Sequence, residues 1–146
     1  MKLVIAEKPS VAADLARSLP GTFKQHEGYW EGPGWLLSWA IGHLLELAEP
    51  EDYDPAYKVW SLGNLPILPA TFIRRPRRGH NNQLRLLKQL AARKDVESLV
   101  NACDAAREGE LIFREIEQFL EIGASKAGAT AVKGKPVERL WLQSMT

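Results

Sequence analysis

Asp104-Ala-Ala-Arg107-Glu108-Gly109-Glu110 follows the apolar run Ser98-Leu-Val-Asn-Ala-Cys103 and leads into a helix-prone stretch that reaches Leu120. A short β-prone run, then acidic residues and then helical periodicity predict a strand, a turn and a helix. Asp104 would end the strand, and Glu108 would follow one short turn later. Open α/β sheets bind their ligands at this end of their strands. We therefore expect a functional site here, built on carboxylates, whose hard oxygens suit Mg²⁺.

The N-terminus repeats this plan. Leu3 to Ala6 is a continuous apolar run, which is typical of a strand buried on both faces of a parallel sheet. Glu7 and Lys8 end the run, and Pro9 suits the first turn of a helix. An apolar stripe at helical spacing predicts that this helix packs on the sheet: Val11, Leu15 and Leu19. Two strand–acid–helix units predict an α/β fold.

Composition and charge are those of an ordinary globular domain. The 146 residues fit one domain with a proper core, and 45% are hydrophobic while 25% are charged. A net charge of +1 gives no overall attraction to nucleic acid or to anionic membranes.

Cys103, the only cysteine, is expected to be a buried packing residue. No apolar run approaches the roughly 20 residues of a membrane span, and no signal peptide precedes the first strand. We therefore expect a cytoplasmic protein in a reducing compartment.

Residues 23–70 interrupt the strand–helix plan and are predicted to form an excursion. Gly32-Pro33-Gly34, which lies between aromatic residues, indicates a β-hairpin. Residues 48–70 contain several prolines and no periodicity, which indicates an ordered path across the surface. Large apolar side chains would anchor this path: Trp60, Leu62, Leu65 and Ile67. Beyond the excursion, the pattern predicts a helix over 82–93 and a last strand over 137–142.

Two interpretations fit the acids at the two strand ends. If the strands are parallel neighbours, Glu7, Asp104 and Glu108 form a carboxylate cluster with Lys8 at its edge. Like charges this close cannot all stay ionised without a compensating cation. Either Mg²⁺ binds, or one acid keeps its proton and acts as a general acid, and phosphoryl transfer can use both. In the other interpretation these are solvated turn acids that the dipole of the following helix favours.

Three further features have two interpretations each. Arg107 either contacts phosphate or pairs with Glu108 or Glu110 at the start of the helix. His43 either fixes a strand end by hydrogen bonding or takes part in catalysis. The basic stretch Arg74-Arg-Pro-Arg-Arg78 either tracks a DNA backbone or forms a solvated face.

Five motifs follow one another in a fixed order along the chain. They are Ile5-Ala-Glu-Lys-Pro-Ser10, Ile41-Gly-His-Leu-Leu45, Trp60 followed by Leu65-Pro-Ile-Leu-Pro69, the turn from Asp104 to Glu110, and Arg139-Leu-Trp-Leu-x-Ser-x-Thr146. Together they resemble the N-terminal Toprim domain of type IA DNA topoisomerases, on the topoisomerase III branch. The resemblance covers essentially the whole chain, and five ordered motifs are far more specific than an acidic turn alone.

The resemblance implies a Toprim (Rossmann-like) fold as a single domain over residues 1–146, with a small parallel sheet and helices on both faces. Full-length members nick one DNA strand through a tyrosine, pass another strand through the gap and reseal without ATP. By motif position, Glu7 resembles the catalytic acid/base and Lys8 the cation that steadies the scissile phosphate. Lys8 and Arg107 are the DNA-binding candidates. Glu7, Asp104 and Glu108 are the candidate ligands of Mg²⁺, which the family needs chiefly for resealing.

The chain departs from the family's pattern at two points. Ala106 stands where the family's Asp-x-Asp-x-Glu has its middle aspartate, and fewer charges should weaken metal affinity. No tyrosine stands in the family's nucleophile context, and those present are expected to pack: Tyr29, Tyr53 and Tyr57. We therefore expect a monomeric part of a longer protein, which acts on single-stranded segments of DNA only together with the rest.

Two other functions stay open at this point. A standalone Toprim nuclease would use metal-bound water to attack phosphate, and the isolated chain would then nick DNA. A noncatalytic nucleic-acid-binding module would rely on the basic stretch from Arg74 alone and would not need Glu7.

Overall fold

The structure is a computed structural model that describes residues 1–125 and 134–142. The strands are β1 (Lys2–Ala6), β2 (Lys24–His26), β3 (Tyr29–Gly32), β4 (Trp35–Trp39), β5 (Leu45–Leu47), β6 (Arg74–Pro76), β7 (Ser98–Ala102) and β8 (Val137–Arg139). The α-helices are α1 (Pro9–Ser18), α2 (Pro50–Tyr53), α3 (Asn81–Ala91) and α4 (Arg107–Ser125). Short 3₁₀ turns follow α2 at Pro55–Lys58 and Leu62–Asn64.

The described strands other than β5 and β6 form one sheet in the order β2-β3-β4-β1-β7-β8. β1 runs parallel to both β4 and β7, and β8 runs parallel to β7, whereas β2 and β3 are antiparallel. Ala6 lies opposite Trp39 on one side and Ala102 on the other. The residues that follow β1 and β7 therefore lie side by side at the same edge of the sheet, the one formed by the C-terminal ends of these strands.

Helices cover both faces of this sheet because its central strands are apolar on both faces. Leu3 and Ile5 of β1 face a core that contains the apolar stripes of α3 and α4. Val4 and Ala6 face the opposite side, where Val11 of α1 packs. The predicted α/β fold, with a mostly parallel sheet flanked by helices, is confirmed.

The predicted hairpin is present and belongs to the main sheet. β3 and β4 pair antiparallel across Gly32-Pro33-Gly34, and Gly34 has a φ of 82°, the left-handed region that glycine tolerates best. β4 also pairs with β1, so residues 24–39 extend the sheet. The path that leaves the sheet is the part after β4, in which β5 and β6 form a separate antiparallel pair.

Most of the side chains predicted to anchor the excursion are exposed, so the prediction is wrong for them. Trp60 is 80% exposed, Leu62 89% and Leu65 52%, whereas Ile67 is half-buried. Polar contacts hold the path instead: the Asn64 amide donates to the carbonyls of Ala56 and Val59, and the Tyr53 hydroxyl bonds the backbone of Ile73. Without a regular period, these apolar side chains share no common face that could reach a core.

The remaining predicted elements are confirmed with shifted ends. α3 ends at Ala91, and β8 ends at Arg139, after which the chain continues alongside the acidic turn: the Ala105 N–H donates to the Leu142 carbonyl at 2.8 Å. None of the described helices combines the length and the apolar character that a membrane crossing requires.

Candidate functional site

The ends of β1 and β7 meet as the two strand–acid–helix units predict. The Asp104 N–H donates to the Glu7 carboxylate, with a nitrogen–oxygen distance of 3.3 Å. Glu7 is half-buried, whereas Asp104 and the neighbouring Lys8 are exposed. The geometry follows from the parallel register, which aligns Ala6 with Ala102. Two carboxylate residues and a lysine therefore share the edge of the sheet where α/β proteins bind ligands.

Glu108 lies in the first turn of α4 and faces His43. Its side chain is 76% exposed, and its carboxylate lies 3.9 Å from His43 Nε2. The other ring nitrogen of His43 lies 3.1 Å from Glu115, whose second oxygen accepts a hydrogen bond from Arg74 at 3.2 Å. His43 thus lies between Glu108 and Glu115, which are two turns apart on α4, and Glu115 connects it to Arg74 of β6. These contacts support the hydrogen-bonding interpretation of His43.

Sequence reasoning missed Glu115 as the partner of His43. A signal was available, because Glu115 follows Glu108 by seven residues, which is two helical turns on one face. Nothing in the sequence indicated that His43, more than sixty positions earlier, would reach that face.

Gly109 lets the first turn of α4 lie directly against the backbone of Asp104. A Cβ atom at this position would lie 2.3 Å from the Asp104 carbonyl oxygen and 2.7 Å from its nitrogen. No side chain can occupy that space unless the backbone moves, so the glycine within the acidic motif is a packing requirement of the turn.

A polar network that includes the buried Asn101 fixes the acidic turn from the side of β8. Arg139 donates to the Glu110 carboxylate at 2.9 Å and to the Asp104 carbonyl at 2.7 Å. Asn101, which is 1% exposed, donates to the same carboxylate and accepts a hydrogen bond from the Cys103 N–H. Charge-assisted bonds of this kind hold a backbone segment in one position. Asn101 in an otherwise apolar strand was the sequence signal for this network.

Arg139→Gln should lower the free energy of unfolding by about 1–2 kcal/mol, because it removes two charge-assisted hydrogen bonds from a partly buried group. Urea denaturation of the purified chain measures this change. Arg85→Gln on the exposed face of α3 is the matched control and should have no measurable effect. Equal stability of the two variants would show that Arg139 does not hold the turn.

Cys103 is buried, as predicted, and does not compete for metal. Burial, together with the negative charge of Glu7, raises the pKa of the Cys103 thiol to about 12. A thiol with such a pKa stays protonated at neutral pH, and only the thiolate is a metal ligand. A cation at this edge of the sheet would therefore gain no thiolate ligand from Cys103.

The donor set fits Mg²⁺ held by few protein ligands. Among the described residues, no group of three or more His, Cys, Asp or Glu side chains is arranged to hold a metal ion. Mg²⁺ is commonly bound through one or two carboxylates, with water and substrate phosphate completing its shell. Glu7 and Asp104 supply two carboxylates for that mode, and the hydrogen bond from the Asp104 N–H to Glu7 holds the two residues next to each other. Ala106 adds no carboxylate to the turn, and Glu108 faces His43.

Lys8 and Arg107 are the available cations of the site. Within the described parts of the chain, neither side chain has a hydrogen bond or an ion pair, and both residues are exposed. The interpretation that pairs Arg107 with Glu108 or Glu110 is therefore wrong. Glu110 pairs instead with Arg114 and Arg139.

The basic stretch around β6 is largely neutralised by acidic partners. Arg74 pairs with Glu115, while Arg77 lies 3.9 Å from Glu46. Arg75 contacts several carboxylates: Glu46, Glu49 and Asp52. Paired guanidinium groups attract phosphate less strongly than free ones, so these contacts favour the solvated-face interpretation over a DNA track.

The comparison with known proteins identifies the class to which this fold and site belong. A model of the Toprim domain family matches residues 2–139. The chain therefore belongs to the Toprim domain family, as its motifs had suggested.

Similar proteins place the chain near one group within that class. It is 42% identical over 144 residues to the DNA topoisomerase 3 of Bacillus anthracis, and 43% identical over 145 residues to that of Shouchella clausii (strain KSM-K16). It is 40% identical over 144 residues to the DNA topoisomerase 3 of Staphylococcus epidermidis (strain ATCC 12228 / FDA PCI 1200). Each match covers 99% of this chain but only 18–19% of the relative. The chain thus spans less than a fifth of the length of these relatives.

Proposed function

We propose that this chain acts as the Toprim domain of a type IA DNA topoisomerase, which cuts and reseals single-stranded segments of DNA without ATP. The observation that carries the proposal is the contact between the Glu7 carboxylate and the Asp104 N–H. It brings together the acids of both strand ends in a chain similar to known DNA topoisomerases 3. In this proposal the chain is a monomeric part of a larger enzyme.

Glu7 is the proposed acid and base of the reaction. A tyrosine supplied from outside this chain would attack the phosphorus atom, and the bond from phosphorus to the 3′ oxygen would break. The Glu7 carboxylate would take the proton from the tyrosine hydroxyl and deliver it to that leaving oxygen, and the proton would return by the same route during resealing. Lys8 follows Glu7 directly, and its free ammonium would offset the negative charge that builds on the phosphate.

Glu7 and Asp104 are the residues that would hold Mg²⁺, with Glu108 as the third candidate at the edge of the site. When bound, the ion supplies positive charge that neutralises the phosphate and orients it. Arg139 and Gly109 act indirectly, because they fix the backbone that carries Asp104.

The metal site is tested by one substitution that should weaken Mg²⁺ binding and one that should strengthen it. Asp104→Asn should weaken Mg²⁺ binding at least tenfold, because a neutral amide replaces a carboxylate ligand. Ala106→Asp should strengthen binding several-fold, because it restores a carboxylate to the turn. Isothermal titration calorimetry of the isolated chain measures both changes.

Asp95→Asn is the control for this titration, since Asp95 precedes β7 at the opposite edge of the sheet. It should leave Mg²⁺ affinity unchanged. Equal affinities of the wild-type and Asp104→Asn chains would remove Asp104 from the metal site.

The two other functions make distinct predictions. A standalone nuclease would nick supercoiled plasmid as the isolated chain with Mg²⁺, whereas we expect no nicking. A noncatalytic module would depend on the arginines around β6, which the structure shows in ion pairs.

A cytoplasmic location is part of the proposal and is supported by the use of a single, unpaired cysteine.

A further inference from the structure

An open cavity of about 480 Å³ lies between the acidic turn and β8. Ala105, Ala106 and Arg107 form one wall, and Arg139 and Trp141 contribute to the other. Its volume falls within the range of small-ligand sites, roughly 300–1,000 Å³. The proposed acid and metal functions of Glu7 and Asp104 do not use this cavity, because neither residue lines it.

Trp141 lines this cavity, and its side chain is mostly exposed to solvent, unlike that of a residue packed in the core. Its exposed fraction is 66%, and its only described ring contact is with the Arg139 guanidinium, 6.0 Å from the ring centroid. The tryptophans of the hairpin, in contrast, are half-buried against the sheet. An exposed indole beside a guanidinium is a surface on which an unpaired base can stack.

The charge that lines the cavity without an ion-pair partner among the described residues is positive. Both glutamates of its described lining are neutralised: Glu110 pairs with Arg114 and Arg139, and Glu138 pairs with Lys2. Arg107 has no partner among the described residues, so its guanidinium is free to bind an anion. Ala106 matters here as well, since an aspartate at this position would add a negative charge to the same wall.

We propose that this cavity is a subsite for one nucleotide of single-stranded DNA, in which the base stacks on Trp141 and a phosphate pairs with Arg107. A duplex would not bind in this way, because its bases are already stacked on both faces. The inference rests on the proposed function: the cavity shares its wall with the acidic turn, so it would hold a nucleotide of the strand that is cut.

Binding of fluorescein-labelled octathymidylate to the isolated chain, measured by fluorescence anisotropy in EDTA, tests the stacking contact. Trp141→Leu should weaken binding about tenfold or more, and Trp141→Phe should retain most of it, because one aromatic stacking surface is worth roughly this much. Trp60→Leu is the matched control, since Trp60 is 80% exposed but lies outside the cavity, and it should leave binding unchanged. Equal losses in Trp141→Leu and Trp60→Leu, or no loss in Trp141→Leu, would overturn the subsite.

The phosphate contact has its own test in the same assay. Arg107→Gln should weaken binding and lower the slope of log affinity against log salt by about 0.7, as expected when one contact to a single strand is lost. Arg85→Gln should not change the slope. Ala106→Asp should weaken oligonucleotide binding in EDTA while it strengthens Mg²⁺ binding. An unchanged salt slope in Arg107→Gln would contradict the proposed pairing.

Failure of the subsite is distinguishable from failure of the proposed function. The oligonucleotide assay contains no Mg²⁺ and needs no nucleophilic tyrosine, whereas the proposed function is tested by Glu7 in a relaxation assay. Loss of relaxation in Glu7→Gln together with unchanged octathymidylate binding in Trp141→Leu would overturn the subsite alone.

Discussion

Replacement of Glu7 by glutamine is expected to lower DNA relaxation by about 10²- to 10⁴-fold, the range that a positioned general acid or base contributes. Glutamine keeps the shape of the side chain and still offers an oxygen to the Asp104 N–H, which lies 3.3 Å from the Glu7 carboxylate. It removes only the titratable proton and the negative charge. A large loss of activity with unchanged folding would therefore show that the reaction needs the Glu7 carboxylate, which this proposal uses both as acid/base and as a Mg²⁺ ligand.

The assay requires a nucleophilic tyrosine, which the proposed function places outside these 146 residues. A chimera in which residues 1–146 replace the matching region of the Bacillus anthracis DNA topoisomerase 3, at 42% identity, would supply it. Relaxation of negatively supercoiled plasmid is the measurement. Glu51→Gln on α2 is the matched control, because Glu51 is exposed and far from the acidic turn in sequence, and it should relax DNA like the unmodified chimera. Near-normal relaxation by Glu7→Gln would refute the role of Glu7.

Gly109→Ala is expected to destabilise the chain by about 3 kcal/mol, at the upper end of what overpacking costs. The added methyl would lie 2.3 Å from the Asp104 carbonyl oxygen, and backbone atoms cannot move aside as a flexible side chain can. The start of α4 and the turn must separate, so Mg²⁺ binding should weaken as well. Thermal unfolding of the purified chain should show a fall in Tm of about 10 °C.

Gly63→Ala is the control for this substitution. A Cβ atom there would lie 3.9 Å from the Ser61 hydroxyl, an ordinary contact, and the backbone needs no left-handed conformation. It should therefore change stability by less than about 0.5 kcal/mol. A Gly109→Ala chain as stable as Gly63→Ala would mean that the close approach of α4 to Asp104 is not a requirement of the fold.

The sequence was sufficient for the parts of the fold that depend on local pattern. The two units around Glu7 and Asp104 each combine a run of buried strand residues with a helical stripe, and that combination nearly forces a parallel pair of strands with helices against them. Once the strands are parallel neighbours, their terminal acids must share an edge. The sequence predicted the proximity of these two residues on the condition that the strands are parallel neighbours, and the observed register meets that condition.

The remaining contacts of the site join segments that are far apart in the sequence. Arg139 reaches Glu110 only because β8 lies beside β7, and His43 reaches Glu115 only because the chain after β4 returns over α4. No local spacing encodes these pairings. The exposure of Trp60 was missed for a related reason: hydrophobicity predicts burial only where a regular element gives the side chain a core to face.

The central claim is that the carboxyls of Glu7 and Asp104 hold one divalent cation between them. Anomalous diffraction from a crystal of the chain soaked in Mn²⁺, which replaces Mg²⁺ on oxygen ligands, tests this claim most directly. The account predicts a single anomalous peak within coordination distance of an oxygen of Glu7 and an oxygen of Asp104. A peak on other acids, or none at this edge of the sheet at saturating Mn²⁺, would contradict it.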